Sequence, residues 1–189
     1  MQQVLVLLDS YDEMSTDHNL KSISCAQQIC SVIGANYSLL VDAGVMLSPA
    51  GKRWLNYGAT TVFVADIGLN SKPTTEVAEH VLHLAHSAGA VHLVAPGTTH
   101  WIELLQRLSA TTQWQLLENV IHVEMTGTGA LFHGPWVAEQ LVVGRRLTSA
   151  SAIFTPAAGA YQPACNIAAQ SPIRHLSVAP PNGKPGRQM

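Results

Sequence analysis

Charge is scarce in this 189-residue chain: Asp, Glu, Lys and Arg together make up 12% of it, against roughly 25% in an average soluble domain. A surface so poor in charge either carries many neutral polar groups or lies partly under a partner, and the partner is the reading we favour. With a formal net charge of −2, the chain lacks the clustered cations that phosphate backbones require, which argues against nucleic acid as its main ligand. Acid stops altogether at Glu139, whereas Arg145, Arg146, Arg174, Lys184 and Arg187 all follow. The last part of the chain is therefore mildly basic.

Cysteine is equally sparse. Cys25, Cys30 and Cys165 are odd in number and fit neither a metal knuckle nor a disulfide framework, so core or bystander thiols in a reduced compartment are expected. The start, Met1-Gln2-Gln3-Val4, lacks the basic region and long apolar stretch of a signal peptide, and no apolar run reaches the length of a membrane span. A soluble intracellular protein is expected. Catalytic signatures are missing as well. Ser10, Ser109 and Ser151 lie outside any G-x-S-x-G setting, and there is no G-x-G-x-x-G and no Walker loop. An enzyme acting alone is not expected.

What the chain does have is alternation. Residues 3–8 read as a strand, 19–33 as an amphipathic helix with Leu20, Ile23, Ala26, Cys30 and Ile33 on one side, and 37–41 as a second strand. Residues 48–57 read as a helix capped by Ser48 and ended by Gly58, and 61–65 as a third strand. A helix over 73–87 closes at Gly89, a strand follows at 91–95, and a helix over 98–110 puts Trp101, Ile102, Leu104, Leu105 and Leu108 on one face. Strands alternating with helices of this length predict a three-layer, Rossmann-like α/β fold with a mostly parallel sheet, of the adenine-nucleotide alpha-hydrolase-like kind.

Past Thr111 the pattern changes. Residues 116–123, 130–133, 137–143 and 150–155 are short β-like runs broken by Gly127-Thr128-Gly129, Gly134-Pro135 and Gly144-Arg145-Arg146. They predict an antiparallel β meander, able to extend the parallel sheet with antiparallel edge strands. Residues 1–160 form the domain on this reading. The Pro-, Ala- and Gly-rich residues 161–189 are expected to be a tail or linker without a core of its own.

Nine histidines are many for this length. His80, His83 and His86 recur every third residue on the 73–87 helix, beside Glu76 and Glu79. A helical wheel puts them opposite Val77, Val81, Leu84 and Ala85, as a solvated face with ordinary i,i+4 pairs rather than a metal site. The junction from Val91 to His100 is the other candidate site. It is a buried strand broken by Pro96-Gly97, with Thr98 or Thr99 placed to cap the next helix, and helix dipole and caps together suit an anion. His100, just inside that helix, could meet such an anion. An ordinary capped β-to-α turn explains the same residues.

Leu5-Val6-Leu7-Leu8-Asp9, the run from Gly58 to Asp66 and above all Leu93-Val94-Ala95-Pro96-Gly97-Thr98-Thr99, followed by a helix ending near Arg107-Leu108, carry a resemblance. The chain from residue 3 to 161 resembles the N-terminal domain of the electron transfer flavoprotein alpha subunit, whose corresponding strand typically reads A-P-A-T-T. It departs from that family at Gly134-Pro135 and Glu139-Gln140, where the family has Arg-Pro and Gly-Asn, and at Thr155-Pro156, where an Arg usually follows the strand. The family's FAD lies in a C-terminal domain, and the residues after Tyr161 are too few to form it. The resemblance thus implies a scaffold and docking half that takes part in electron transfer with a beta-type subunit, as a heterodimer, without holding FAD itself. AMP would belong to the partner subunit. It further implies the cytoplasm, or the mitochondrial matrix in a eukaryotic source. The alternative is a stand-alone adenine-nucleotide-binding protein. Its adenylate would sit at the carboxyl ends of the first and fourth strands, near Asp9, Ser10, Gly97, Thr98 and Thr99.

Overall fold

The computed structural model describes residues 2–9, 13–49, 51–68, 72–136 and 141–177. Its elements run β1 (Gln3–Leu7), α1 (Glu13–Ile33), β2 (Asn36–Asp42), α2 (Ala43–Met46), a 3-10 turn (Gly51–Asn56), β3 (Val62–Ala65), α3 (Thr74–Ser87), β4 (His92–Val94) and α4 (Thr99–Thr111). Six further strands follow: β5 (Gln115–Val120), β6 (His122–Thr126), β7 (Gly129–Trp136), β8 (Leu141–Arg145), β9 (Ala152–Pro156) and β10 (Ile173–His175).

Seven strands form one sheet in the order β10-β3-β2-β1-β4-β9-β5, and every neighbouring pair in it is parallel. Period-two alternation sorts their side chains into two layers. Val4, Val6, Leu39, Val41, Val94 and Phe154 point to the side of α1, where Ile23, Cys25, Ala26 and Ile29 meet them. Leu5, Leu7, Leu40, Phe63, Leu93 and Ile153 point to the other side, against Val77, Val81 and Leu84 of α3 and Trp101, Leu104 and Leu105 of α4. Because helices close both faces, the strands are continuous apolar runs, as parallel sheets require. The predicted three-layer α/β architecture is the observed one.

Several boundaries differ from expectation. The first helix starts at Glu13 rather than residue 19, because its early core-facing positions are polar: Ser15, Asn19 and Ser22 are buried at helical spacing. The helix expected over 48–57 is instead the 3-10 turn Gly51–Asn56, and the separate short helix α2 precedes it. The chain doubles back so tightly that a Cβ on Gly51 would lie 2.1 Å from the Val45 carbonyl oxygen. Ser48 does act there as a cap, its Oγ accepting from the Gly51 N–H at 3.0 Å. The strand expected over 116–123 breaks at Ile121 into β5 and β6, after Asn119 takes a positive φ of 55°.

The meander forms a separate three-stranded antiparallel sheet, β6-β7-β8, and does not extend the main sheet. It is an insertion in the crossover between β5 and β9, and β9 slots between β4 and β5 in parallel register. Residues 137–140, included in the predicted third β run, lie outside the described residues.

Up to residue 177 the segment after residue 160 lies along the domain rather than trailing from it. Tyr161, Ala164 and Ser171 are buried. Ala164 N–H donates to the Leu20 carbonyl (3.2 Å), Ile167 N–H to Asn56 (2.7 Å) and Ser171 N–H to Leu55 (2.8 Å). The chain thereby reaches the far edge of the sheet, where β10 pairs with β3. The residues from 178 to the end, with Lys184 and Arg187, lie outside the described residues.

Candidate functional site

In the sheet order the chain steps outward from β1 to β2 and β3, then returns to the other side of β1 to form β4. This reversal opens a crevice at the carboxyl ends of β1 and β4, where open α/β sheets bind ligands. Beside it, at the carboxyl ends of β4, β9 and β5, lies a cleft of about 100 Å³ lined by His18 and Lys21 of α1, Gly97, Asn119 and the backbone turn Pro156, Ala157 and Ala158. Gly97 is fixed by the close approach of β9, since a Cβ there would stand 3.2 Å from the Pro156 carbonyl oxygen. Asn119, at its positive φ, donates its N–H to Thr155 Oγ1 at 3.0 Å. Lys21 pairs with Asp17 at 2.6 Å.

Of the residues singled out by sequence, Gly97 lines this cleft. Asp9 sits at the end of β1, where its N–H donates to Asn19 Oδ1 (2.9 Å) and its carbonyl accepts from Asn19 Nδ2 (3.3 Å). Ser10 lies outside the described residues. Thr98 is the N-cap of α4, with extended backbone and its carbonyl accepting from Ile102 N–H. Its side chain makes no capping bond, however, and Oγ1 is shut off from solvent with no partner. Thr99 and His100 are exposed, and the His100 ring packs edge-on against Trp101.

Sequence reasoning missed Asn19, His18, Lys21 and Asn119. The signal for Asn19 was a polar residue inside the apolar stripe of a helix; that for Asn119 was a residue tolerant of left-handed backbone in the middle of an apolar run. The histidine helix also needs correction. His83 and His86 are exposed as expected, but His80 is buried, with Nδ1 3.4 Å from the Ile67 carbonyl oxygen and Nε2 3.8 Å from Glu76. It stands at i+3 from Val77 and i−4 from Leu84, so it borders the apolar stripe rather than opposing it. Among the described residues, no three of His, Cys, Asp and Glu are grouped as a metal ion would need. Cys25 and Cys30 are buried core thiols, each pushed up to about 12 by burial, and Cys165 is exposed.

The meander forms a second candidate surface. Its inner face packs on the domain, with Phe132 stacked on Phe154 at a centroid distance of 4.9 Å. Met125 of β6 and Leu141 and Val142 of β8 are exposed at 58%, 58% and 61%. A cleft of about 470 Å³ adjoins Val142, walled by Pro135, Ile121 and the residues from Ala157 to Ala160. None of its lining side chains is cationic.

A family model described as the electron transfer flavoprotein domain matches residues 4–181. The chain belongs to this family. A search of curated proteins found no match. The electron transfer flavoprotein domain accounts for the parallel sheet and its helices together, and the matched stretch takes in the meander and the segment that carries β10. The family supplies the class of function, electron transfer. No helix among the described residues is long and apolar enough to cross a membrane.

Proposed function

We propose that this electron transfer flavoprotein domain is of the alpha type and serves as a scaffold and docking half. It pairs with a beta-type subunit and frames the surface on which a flavin domain moves, without holding FAD itself. The observation that carries this reading is the exposure of three apolar side chains of the meander, Met125, Leu141 and Val142. In a chain with 12% charged residues, such exposure is what a docking surface presents before its partner covers it. The clefts support the second half of the reading: one is too small for a dinucleotide and the other lacks cations. Any AMP of the assembled heterodimer belongs, on this reading, to the beta-type subunit, and the compartment is the cytoplasm or the mitochondrial matrix.

Co-expression with a beta-type subunit tests it. The two chains are expected to co-elute, and the purified chain alone is expected to stay colourless after incubation with FAD. Stoichiometric flavin absorbance on the isolated chain, or separate elution of the two chains, overturns the proposal. The adenine-nucleotide alternative has weaker support, because the cleft of about 100 Å³ beside the switch point falls below the roughly 300–1,000 Å³ of cofactor pockets. It predicts that AMP at a hundred times its dissociation constant stabilises the fold by about 2.7 kcal/mol, and a flat thermal titration removes it.

A further inference from the structure

Unpaired sheet edges are hazards that folded proteins blunt with charge, bulges, short strands or cover. Four edges can be compared. The main sheet ends on one side at β10, only three residues long and carrying Arg174 and His175. On the other side it ends at β5, interrupted by Glu118, the positive φ of Asn119 and a register shift between Leu117 and Val120. The meander begins at β6, and α1 covers that edge: Val123 N–H donates to Gln28 Oε1 at 3.1 Å, and Gln28 Nε2 lies 2.8 Å from His122 Nδ1. It ends at β8, whose outward backbone groups meet no hydrogen-bond partner among the described residues and whose one charged residue, Arg145, turns its guanidinium inward to the Glu118 carbonyl at 2.9 Å. Leu141, Val142, Val143 and Gly144 carry no charge and no proline, and they pair with β7 without a break.

The direction of the free groups follows from the ladder. Ile121 N–H donates to the His133 carbonyl, so the backbone of His133 faces β6. Antiparallel alternation then turns Gly134 toward β8 and its partner Val143 toward β7. Val142 and Gly144 are left with N–H and C=O pointing away from the sheet. A Cβ on Gly144 would meet the tip of the Leu131 side chain at 2.8 Å. Arg146, exposed just past the strand, spends one guanidinium nitrogen on the Thr128 carbonyl (2.6 Å) and leaves its other donors outward.

We propose that the free edge of β8 takes up an extended strand from a different protein chain, with an apolar side chain seated in the adjoining cleft and a carboxylate meeting Arg146. Charge decides against a second copy as the occupant. The sequence has no acid after Glu139, so a copy's own β8 would bring a second pair of arginines and no carboxylate to receive them. The cleft beside Pro135 and Val142 supplies the apolar anchor that a strand pair alone lacks. The inference rests on the docking reading above and adds the place and the backbone chemistry of the contact.

The test uses the full chain and a co-expressed beta-type subunit as the probe. Val142→Pro removes an outward N–H and leaves the ladder to β7 intact; Val142→Thr keeps both the N–H and the branched shape. Val142→Pro is expected to weaken the complex about tenfold, the scale of one or two lost backbone hydrogen bonds. Val142→Thr is expected to bind within about threefold of wild type. Arg146→Glu should weaken binding more at low salt than at high salt. In the wild-type chain, amide hydrogens of Val142 and Gly144 should exchange freely alone and slowly in the complex, a readout that does not depend on a variant folding. Unimpaired binding by Val142→Pro, or no slowing at those two amides, overturns the edge pairing and leaves docking standing. Absence of any complex with the wild-type chain overturns both. A homodimer of the chain alone that Val142→Pro abolishes overturns the assignment to a different chain.

Discussion

Leu5-Val6-Leu7 of β1 and Leu141-Val142-Val143 of β8 are chemically alike and structurally opposite. The first run is buried completely, with α1 on one face and the α3–α4 pair on the other. In the second, no residue is buried, and two of the three are more than half exposed. Strand-forming apolar residues thus state only that something must cover them. In the parallel sheet the cover is this chain's own helices; at β8 no described residue buries these side chains. This contrast separates the part of the molecule that makes the fold from the part that presents a surface.

The largest expected effect tests that contrast directly. Phe154 lies in β9, fully buried, and stacks on Phe132. Phe154→Ala is expected to cost about 3–5 kcal/mol of unfolding free energy, as transfer and cavity terms add. Leu141→Ala, on the exposed strand, is expected to stay within about 0.5 kcal/mol of wild type. Denaturant titrations of both variants check this pair. A Leu141→Ala loss comparable to that of Phe154→Ala would show that β8 is core, and would remove the distinction between the two regions.

A smaller effect is expected at the junction of α1 and β1. Asn19 is fully buried and exchanges two hydrogen bonds with the backbone of Asp9. Asn19→Ala strands the Asp9 N–H and carbonyl, for a cost of about 1–3 kcal/mol. Asn19→Asp keeps the acceptor but buries a carboxylate oxygen against the Asp9 carbonyl, so at neutral pH it should be at least as destabilising as Ala in the same titration. An Asn19→Ala variant as stable as wild type would place the Asp9 turn outside the cooperative fold.

Asn19 also marks where sequence legibility ends. Continuous runs such as Val4 to Leu7 and Val62 to Ala65 were readable, because a strand covered on both faces has no polar positions to disguise it. The helix face bearing Trp101, Leu104 and Leu108 was readable for the matching reason of helical period. Asn19 and Ser22 broke the apolar stripe of α1, because their value lies in hydrogen bonds to distant backbone or to the preceding turn. The placement of β9 between β4 and β5 was hidden for a different reason. Pairing partners more than fifty residues apart, such as His92 and Ala152, leave no periodic trace. At the candidate site, Gly97 was visible as a turn residue, whereas the cleft it lines depends on Pro156 and Asn119 arriving from other strands.

The smallest effect is one of pH, and it belongs to the parallel sheet alone. His92 is buried in β4, its ring edge-on to Phe154 at 5.8 Å, with Nδ1 lacking a partner. Burial pushes its pKa below the ordinary 6.5, because a charged imidazole would sit in the apolar layer beneath α1. The unfolded chain keeps the ordinary value, so below about pH 6.5 it binds more protons at this position than the folded chain does. Stability linked to His92 is therefore fully present above that pH and is lost as the pH falls from there toward the depressed folded value. In His92→Gln this contribution vanishes, and the fall in melting temperature between about pH 7 and pH 5 should be shallower than in the wild-type chain. Superimposable profiles would mean that the ring takes up its proton without opening the layer. In that case the sheet around β4 yields more readily than its complete burial implies, and its difference from the meander is one of exposure rather than of rigidity.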